Sequence, residues 1–215
     1  MLVAACGSSS TGPTYSPAKV ATATVANLPI YASPAGAVTN TLANPTIYGA
    51  PLTMLVTATQ GLWAQVSLPV RPAGSSGWVR ADQVTIKADP YQLDVLRGAH
   101  ELKVYQNGAL QKTYPVGIGK TETPTPGGTY YLRVLLKVPN PAGAYGPYAY
   151  GLSGFSPVLK DYAGGDGIIG LHGTDQPQVV GTDVSHGCIR LRNADITELV
   201  QKYQLPLGTP VRILA

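Results

Sequence analysis

The residues whose types and spacing best suit catalysis lie in two stretches of the C-terminal half, 168–174 (IIGLHGT) and 185–191 (SHGCIRL). A thiol becomes a strong nucleophile only when it loses its proton, and a neighbouring imidazole can take that proton and lower the thiol pKa. His172 follows an apolar stretch, which predicts a strand end where its side chain is held rigidly. The pair therefore predicts Cys188 as a nucleophile and His172 as its base, against the simpler interpretation of a buried structural thiol.

The residues around Cys188 can complete such a site. Gly187 allows the backbone to approach a substrate closely, and its amide together with that of Cys188 can hold the oxyanion of a tetrahedral intermediate. Arg190 shares a face with Cys188 on an extended chain, and its guanidinium suits a substrate carboxylate. Two simpler interpretations stay open: a structural role for His186, and a surface ion pair between Arg190 and Asp195.

The ordered set His-Gly-Thr followed by Ser-His-Gly-Cys-Ile-Arg, with sixteen positions from His172 to Cys188, resembles the signature of the L,D-transpeptidase catalytic domain. The resemblance covers about residues 91–215. It implies that Cys188 attacks a peptidoglycan stem peptide at the L-centre of a diamino acid and forms a thioester. It also implies that His172 accepts the thiol proton while the backbone carbonyl of Gly173 orients its ring.

The same resemblance implies roles for the neighbours and for the second half of the reaction. His186 and Gly187 would shape the oxyanion site, Arg190 would contact the substrate, and carbapenems would acylate the cysteine. An amine from a second stem peptide would then resolve the thioester without any cofactor. If water resolved it instead, the protein would be an L,D-carboxypeptidase or endopeptidase, and the sequence leaves this alternative open.

The elements that position these residues are predicted to be mainly β, because Gly (25) and Pro (19) are abundant and weaken helices. Within residues 18–88, the segments around Trp63 and Trp78 resemble a small bacterial Src-homology-3-like barrel. Such a module would bind or position an enzyme on the cell wall, or serve as a spacer with both tryptophans in its core. Residues 91–215 are predicted to form a β-sandwich-like catalytic domain with one amphipathic helix.

Two segments flank the motif. Residues 139–157, rich in Pro, Gly and Tyr, predict a long loop whose tyrosines can line a groove, so Tyr150 is predicted to bind substrate. Apolar residues at positions 196, 199, 200 and 203 predict the helix, with Asn193 as its cap. His100 has no motif around it and is predicted to lie on the surface.

The first residues of the sequence predict where the protein is located rather than how it folds. Val-Ala-Ala-Cys6 resembles a lipobox, so Cys6 is a predicted lipidation site, and residues 1–17 would form a lipoprotein-like tail and flexible tether. This places the protein in the extracytoplasmic envelope, membrane-anchored and facing the wall. The net charge of +4 is modest and no basic run is present, which argues against a nucleic-acid partner.

Two further alternatives follow from the same residues. His172, His186 and Cys188 are legitimate zinc ligands, although their spacing matches no familiar zinc pattern. In a non-enzymatic alternative, the N-terminal barrel would make the protein a wall-binding adaptor, and Cys188 would be dispensable. The interpretation as a cysteine acyltransferase requires His172 and Cys188 to meet beside a groove that is open to solvent.

Overall fold

The computed structural model describes residues 15–161 and 165–215. Its N-terminal part is a seven-stranded antiparallel sheet with the order β3-β2-β6-β5-β4-β1-β7. The strands are β1 (Ala18–Ala23), β2 (Asn27–Tyr31), β3 (Val38–Ala43), β4 (Thr53–Gln60), β5 (Trp63–Ser67), β6 (Ser76–Arg80) and β7 (Val84–Asp89). The identification of this sheet as a Src-homology-3-like barrel stays a prediction.

The two tryptophans of this part lie outside its core. Strand alternation buries Ala64 and Val66 of β5, so Trp63 faces the other side of the sheet and is only partly buried. Trp78 of β6 is likewise half-buried, and the ring of Trp63 packs edge-on against Tyr31 at 4.9 Å. The interpretation that both tryptophans simply fill the core is therefore wrong, because their neighbours in sequence occupy the inward positions.

The C-terminal part is an eight-stranded sheet with the order β10-β9-β8-β17-β12-β13-β14-β16, beside a two-stranded ladder of β11 and β15. The elements are β8 (Tyr91–Leu96), β9 (Glu101–Gln106), β10 (Ala109–Pro115), β11 (Ile118–Gly119), β12 (Gly128–Lys137), β13 (Tyr148–Phe155), β14 (Ile168–His172), β15 (Asp183–Ser185), β16 (Ile189–Arg190), α1 (Asn193–Tyr203) and β17 (Pro210–Leu214). The mainly β fold class with one helix is confirmed.

The predicted division at residues 88–91 coincides with a change of sheet, since β7 ends at Asp89 and β8 begins at Tyr91. The two parts are nevertheless packed together. Tyr131 of β12 is fully buried within the N-terminal hydrophobic core, and its hydroxyl donates to the carbonyl of Ser67 at 3.1 Å. Division into two independent domains therefore stays a prediction.

The predicted loop at 139–157 is wrong in its second half, where residues 148–155 form β13 between β12 and β14. The glycines that suggested a loop are packing positions. A Cβ on Gly154 would lie 2.6 Å from the ring of Tyr130, and one on Gly151 would lie 2.8 Å from Val134. Only glycine allows these side chains to cross the strand, so the actual loop is the shorter segment 138–147.

The helix forms as predicted, with Ile196, Leu199 and Tyr203 buried against the sheet. Its predicted cap is wrong, because Asn193 is the first helical residue and Arg192 before it makes no side-chain cap. The side chain of Asn193 instead accepts a hydrogen bond from the amide of Thr174 at 2.9 Å, which ties the helix to β14. At 11 residues it is too short to cross a bilayer, and no other helix of the described residues is long and apolar enough to do so.

Candidate active site

The two sequence stretches meet because β14 and β16 are neighbouring parallel strands. Leu171 pairs with Ile189 and His172 pairs with Arg190, so Cys188 lies opposite Gly170. Apolar residues at alternate positions of the same stretches are buried in the core: Ile169, Leu171, Ile189 and Leu191. The reactive side chains therefore share the other face of the sheet.

Gly170 marks the space between the two reactive groups. Its amide donates to the Sγ atom of Cys188 at 3.3 Å. A Cβ placed on Gly170 would lie 3.6 Å from that sulfur and 3.4 Å from Cδ2 of His172. The thiol and the imidazole are therefore close neighbours, with no side chain between them at this position.

The orientation of His172 determines which nitrogen can act as a base. Its Nδ1 atom lies 2.6 Å from the carbonyl oxygen of Gly173, and a carbonyl can only accept, so Nδ1 carries the hydrogen. This tautomer leaves the lone pair of Nε2 available to receive a proton. The ring is buried beneath Tyr145, whose centroid lies 4.7 Å away at an angle of 55°. Gly173 has no room for a Cβ, because Asn193 and the backbone of Gly146 press against it.

Burial governs the protonation of both groups. It lowers the pKa of His172 to about 4, a shift that the hydrogen bond to Gly173 opposes and the charge of Arg190 reinforces. Burial raises the pKa of the Cys188 thiol, while the Gly170 amide and Arg190 pull it down. The thiol pKa is therefore raised by desolvation, contrary to the expectation that the neighbouring imidazole lowers it. Near neutral pH the site holds a neutral thiol beside a neutral base.

Ser185 holds the turn that carries the nucleophile. Its buried hydroxyl donates to the carbonyl of Cys188 at 2.6 Å and accepts from the amide of Gly187 at 3.0 Å. Gly187 adopts φ +115°, which strains any other residue. Because its amide already donates to Ser185, Gly187 could supply an oxyanion donor only by giving up this hydrogen bond, and its predicted role stays a prediction. The Cys188 amide is the other candidate of the two.

A second layer of hydroxyls supports this turn from the segment 120–127. Thr123 donates to the carbonyl of Ser185 at 3.1 Å, and Thr125 donates to the carbonyl of Gly187 at 2.9 Å. Both threonines are buried, and Thr125 also accepts from the amide of Gly119 at 2.8 Å. Sequence reasoning missed these residues. The available signal was the run Thr-Pro-Thr-Pro, whose hydroxyls can replace the amides that proline lacks.

Cys188 is half-buried and lines three cavities among the described residues, two of about 190 and 230 Å³ and a third of only about 20 Å³. The first, here called the Tyr48 cavity, is lined by Tyr48, Val134, Leu136, Tyr145, Ala149, Tyr150, Gly151, Gly165, Asp166, Gly167, Ile168, Gly170, His172 and Cys188. The second, the Arg190 cavity, is lined by Ala144, Tyr145, His172, Ser185, His186, Cys188 and Arg190. The thiol therefore has an approach path on either side.

The predicted substrate-binding residues divide between these cavities. Tyr150 lines the Tyr48 cavity, and its buried hydroxyl has no hydrogen-bond partner within the described residues. His186 and Arg190 line the Arg190 cavity, where His186 is exposed. Asp195 does not pair with Arg190 in any ion pair of the described ranges. His100 is half-buried and lies outside both cavities, with its Nε2 atom 2.7 Å from Asp183.

The remaining site predictions concern a metal and a lipid. Within residues 15–161 and 165–215, no group of three or more His, Cys, Asp or Glu side chains is arranged to hold a metal ion. The zinc alternative for His172, His186 and Cys188 therefore has no structural support. The predicted lipidation site, Cys6, lies outside the described residues.

Comparison with known proteins agrees with the motif. Residues 90–213 match the family described as YkuD: L,D-transpeptidase catalytic domain. The putative L,D-transpeptidase YkuD of Bacillus licheniformis is 35% identical over 156 residues, which cover 69% of this chain and 85% of the relative. Its Bacillus subtilis counterpart is 38% identical over 124 residues, covering 58% and 66%.

Among solved structures, L,D-transpeptidase 3 from Mycobacterium tuberculosis with a faropenem-derived adduct matches with a TM-score of 0.49 and 16% identity, over 68% of this chain and 76% of that one. The family match covers more than half of the chain, and the Bacillus licheniformis relative is matched over most of its length. The chain therefore belongs to the L,D-transpeptidase family of enzymes.

Proposed function

We propose that this enzyme is a cysteine acyltransferase that joins peptidoglycan stem peptides through a thioester on Cys188. The family supports the coarser statement that it acts on peptidoglycan outside the cytoplasm. The observation that carries the finer proposal is the His172 tautomer. Its Nδ1–H donates to the carbonyl of Gly173, which leaves the lone pair of Nε2 free to accept a proton. The ring lies beside the sulfur of Cys188, with Gly170 next to both.

The first half of the reaction transfers the acyl group to sulfur. His172 accepts the thiol proton as the sulfur attacks the substrate carbonyl, and a C–S bond forms. The tetrahedral intermediate then collapses with loss of the C–N bond, and the imidazolium returns the proton to the leaving amine. With its pKa lowered to about 4, the His172 imidazolium is a stronger acid than an ordinary one, which favours this second proton transfer, while the neutral ring is a weaker base for the first.

The second half repeats these steps in reverse. An amine from another stem peptide attacks the thioester, gives a proton to His172, and forms the new amide as the C–S bond breaks. The sulfur leaves as a thiolate and regains its proton from the imidazolium. Arg190 stabilises the thiolate, since its positive charge lowers the thiol pKa.

Intact-protein mass spectrometry with imipenem tests the nucleophile and its base. The wild-type chain is expected to gain one covalent adduct, which Cys188→Ala lacks. His172→Gln is expected to slow acylation by about a hundredfold or more, because the proton acceptor is lost. An adduct on Cys188→Ala would refute the assignment, and so would undiminished acylation of His172→Gln.

The acceptor that resolves the thioester, an amine or water, is identified from the reaction products, because the acylation step is the same for both. Incubation with a disaccharide tetrapeptide is expected to give cross-linked dimers, detected by mass spectrometry. Trimmed monomers alone would mean that water resolves the thioester and that the enzyme is a carboxypeptidase or endopeptidase. A Cys188→Ala chain that kept its cellular role would favour the adaptor alternative.

We also propose the cellular location and the domain assignments that the sequence predicts. Lipidation of Cys6 would anchor the enzyme to the membrane through the tether 1–17, facing the wall. Residues 18–88 and 91–215 would be the Src-homology-3-like and catalytic domains. Mass analysis of the mature protein, with Cys6→Ala as the control, tests the lipid: a chain without a diacylglycerol adduct would contradict it.

A further inference from the structure

Tyr48 brings the N-terminal part of the chain to the reactive thiol. It lies in the turn between β3 and β4, which is closed by hydrogen bonds from Thr46 to Ala50 and from Gly49 to Thr46, each of 2.8 Å. Its ring packs under the guanidinium of Arg133 at 5.6 Å and is 38% exposed. The exposed remainder lines the same cavity as Cys188. One wall of the groove is therefore supplied by a residue far outside the catalytic motif.

Arg71 is a second contribution of the N-terminal part. From the loop between β5 and β6, its guanidinium donates to three backbone carbonyls, those of Ser156 at 3.1 Å, Leu159 at 3.2 Å and Asp166 at 2.6 Å. The same group lies over the ring of Phe155, 4.8 Å from its centroid. Only the planar fork of arginine offers enough fixed donors for such a set, so lysine cannot replace it.

The carbonyls of Ser156 and Leu159 follow the end of β13, and that of Asp166 precedes the start of β14. Asp166 and Gly167 line the Tyr48 cavity, and the carbonyl of Gly167 accepts from the amide of Ser156 at 2.7 Å. Gly167 has φ +71°, and a Cβ there would collide with the carbonyl of Leu159 and lie 3.0 Å from Arg71. Arg71 therefore fixes a stretch of the cavity wall that includes the start of the strand carrying His172.

The N-terminal and C-terminal parts are held together by packed side chains and hydrogen bonds, in addition to the chain that connects them. The hydroxyl of Thr209 donates to the carboxylate of Asp89 at 2.7 Å in a buried position. Gly208 leaves no space for a Cβ, because Val20 of the N-terminal sheet fills it. Together with the buried Tyr131, these contacts hold Tyr48 and Arg71 at set positions beside the groove.

We propose that the N-terminal part forms one wall of the acyl-donor groove, in which Tyr48 contacts the stem peptide beyond the scissile bond and Arg71 is a positioning residue for the wall segments 156–159 and 165–167. The inference rests on the proposed function. The Tyr48 cavity is lined mainly by aromatic and aliphatic side chains, with Asp166 as its one carboxylate among the described residues. It therefore suits the aliphatic portions of a stem peptide, which extends further from the sulfur than a small β-lactam does.

The test compares a long substrate with a short one in the full-length chain. Tyr48→Ala is expected to raise KM for a disaccharide tetrapeptide about five- to tenfold, the loss typical of one aromatic contact in a groove. The second-order rate of acylation by imipenem should fall much less. The matched control is Ile47→Ala, since Ile47 lies in the same turn, is 88% exposed and does not line the cavity. Equal KM values for Tyr48→Ala and Ile47→Ala would overturn the proposal.

The positioning role of Arg71 is tested by comparing the effects of its substitution on KM and on kcat. Arg71→Lys keeps the charge but loses the fork, so we expect KM for the tetrapeptide to rise about threefold or more while kcat changes less. Arg80→Ala is the control, because Arg80 is exposed and pairs only with Asp82 among the described ion pairs. An Arg71→Lys enzyme that matches Arg80→Ala in KM would contradict the positioning role.

The wild-type acylation assay separates the two levels of proposal. If imipenem fails to acylate wild-type Cys188, the proposed function itself fails. If acylation proceeds but Tyr48→Ala and Arg71→Lys leave KM for the tetrapeptide unchanged, only the contribution of the N-terminal part fails.

Discussion

The two larger cavities beside Cys188 are similar in size but differ in origin and chemistry. The Tyr48 cavity, of about 190 Å³, is mainly aromatic and aliphatic and combines residues from both sheets. The Arg190 cavity, of about 230 Å³, contains His186 and Arg190 and is built from the C-terminal part alone. Tyr145, His172 and Cys188 line both. The reactive pair is thus shared, while each side presents different chemistry to a ligand.

This difference separates what the catalytic motif builds from what the rest of the chain adds. The Arg190 cavity follows from the motif, because the segment 185–190 leads into β16, which lies parallel to β14. The Tyr48 cavity depends on β12, β13 and a turn of the N-terminal sheet. We therefore expect substitutions near Arg190 to change reactivity, and substitutions near Tyr48 to change the choice of substrate.

Among substitutions that leave Cys188 and His172 in place, Gly170→Ala is expected to produce the largest effect, because it adds a methyl group where the Tyr48 cavity reaches the reactive pair. The new Cβ would contact both Sγ of Cys188 at 3.6 Å and Cδ2 of His172 at 3.4 Å, distances that need no large rearrangement. We expect imipenem acylation to slow by at least about tenfold with little loss of thermal stability, since small displacements of reacting groups cost large factors in rate.

The control for this substitution is Gly98→Ala, where a Cβ would meet only the backbone of Ala215 at 3.8 Å. It should leave both acylation and the melting temperature unchanged. Wild-type acylation by Gly170→Ala would mean that the gap between thiol and imidazole is not used, and would remove the link between the Tyr48 cavity and the chemistry.

Arg190→Met is expected to have a smaller effect, which the pH dependence of thiol alkylation reveals. Burial raises the thiol pKa above its ordinary value of 9.0 and Arg190 opposes this, so the wild-type rate should still rise with pH beyond 9. Loss of the positive charge raises the pKa further and reduces the thiolate at any given lower pH. We expect iodoacetamide alkylation at pH 7.5 to slow about three- to tenfold, because only the thiolate reacts.

Arg192→Met makes the same change of charge two residues further along, at an exposed position outside both cavities. It should leave the alkylation profile in place. A wild-type profile that levels off below pH 7 would show a stable thiolate–imidazolium pair, contrary to the neutral pair that burial favours.

Ser185→Ala is expected to have the smallest effect on chemistry and a clear effect on stability. It removes both hydrogen bonds that close the nucleophile turn, leaving the Gly187 amide and the Cys188 carbonyl without this partner. We expect a loss of about 1–3 kcal/mol in the free energy of unfolding, measured by urea denaturation. Acylation should slow by only about two- to fivefold, because Thr123 and Thr125 still support the turn.

Ser153→Ala is the matched control, since the buried Ser153 hydroxyl accepts from the amide of Tyr131 at 3.1 Å, in a position outside both cavities. It should destabilise the protein by a similar amount without slowing acylation. Equal acylation rates for the two serine variants would mean that the turn keeps its geometry without Ser185.

Local patterns predicted the elements near the motif well. The apolar spacing that ends in Tyr203 predicted α1. The dipeptide Asn107-Gly108 is typical of a two-residue hairpin turn, and it forms one between β9 and β10 with positive φ of 52° and 78°. The errors concern residues whose role depends on a distant contact. Asn193 resembles a cap but bonds to Thr174, and Gly151 resembles a loop residue but packs against Val134.

The sequence by itself determined the family and the types of the reactive side chains, because a short ordered motif places a histidine at the end of one strand and a cysteine directly before the neighbouring strand. Only the tertiary structure decided the tautomer of His172, the opposite pKa shifts of its ring and the thiol, and the engagement of the Gly187 amide. It also decided that Tyr48 and Arg71 reach the groove. The reason is physical: burial and hydrogen bonding sum over every segment packed around an atom, and most of these segments are remote in sequence.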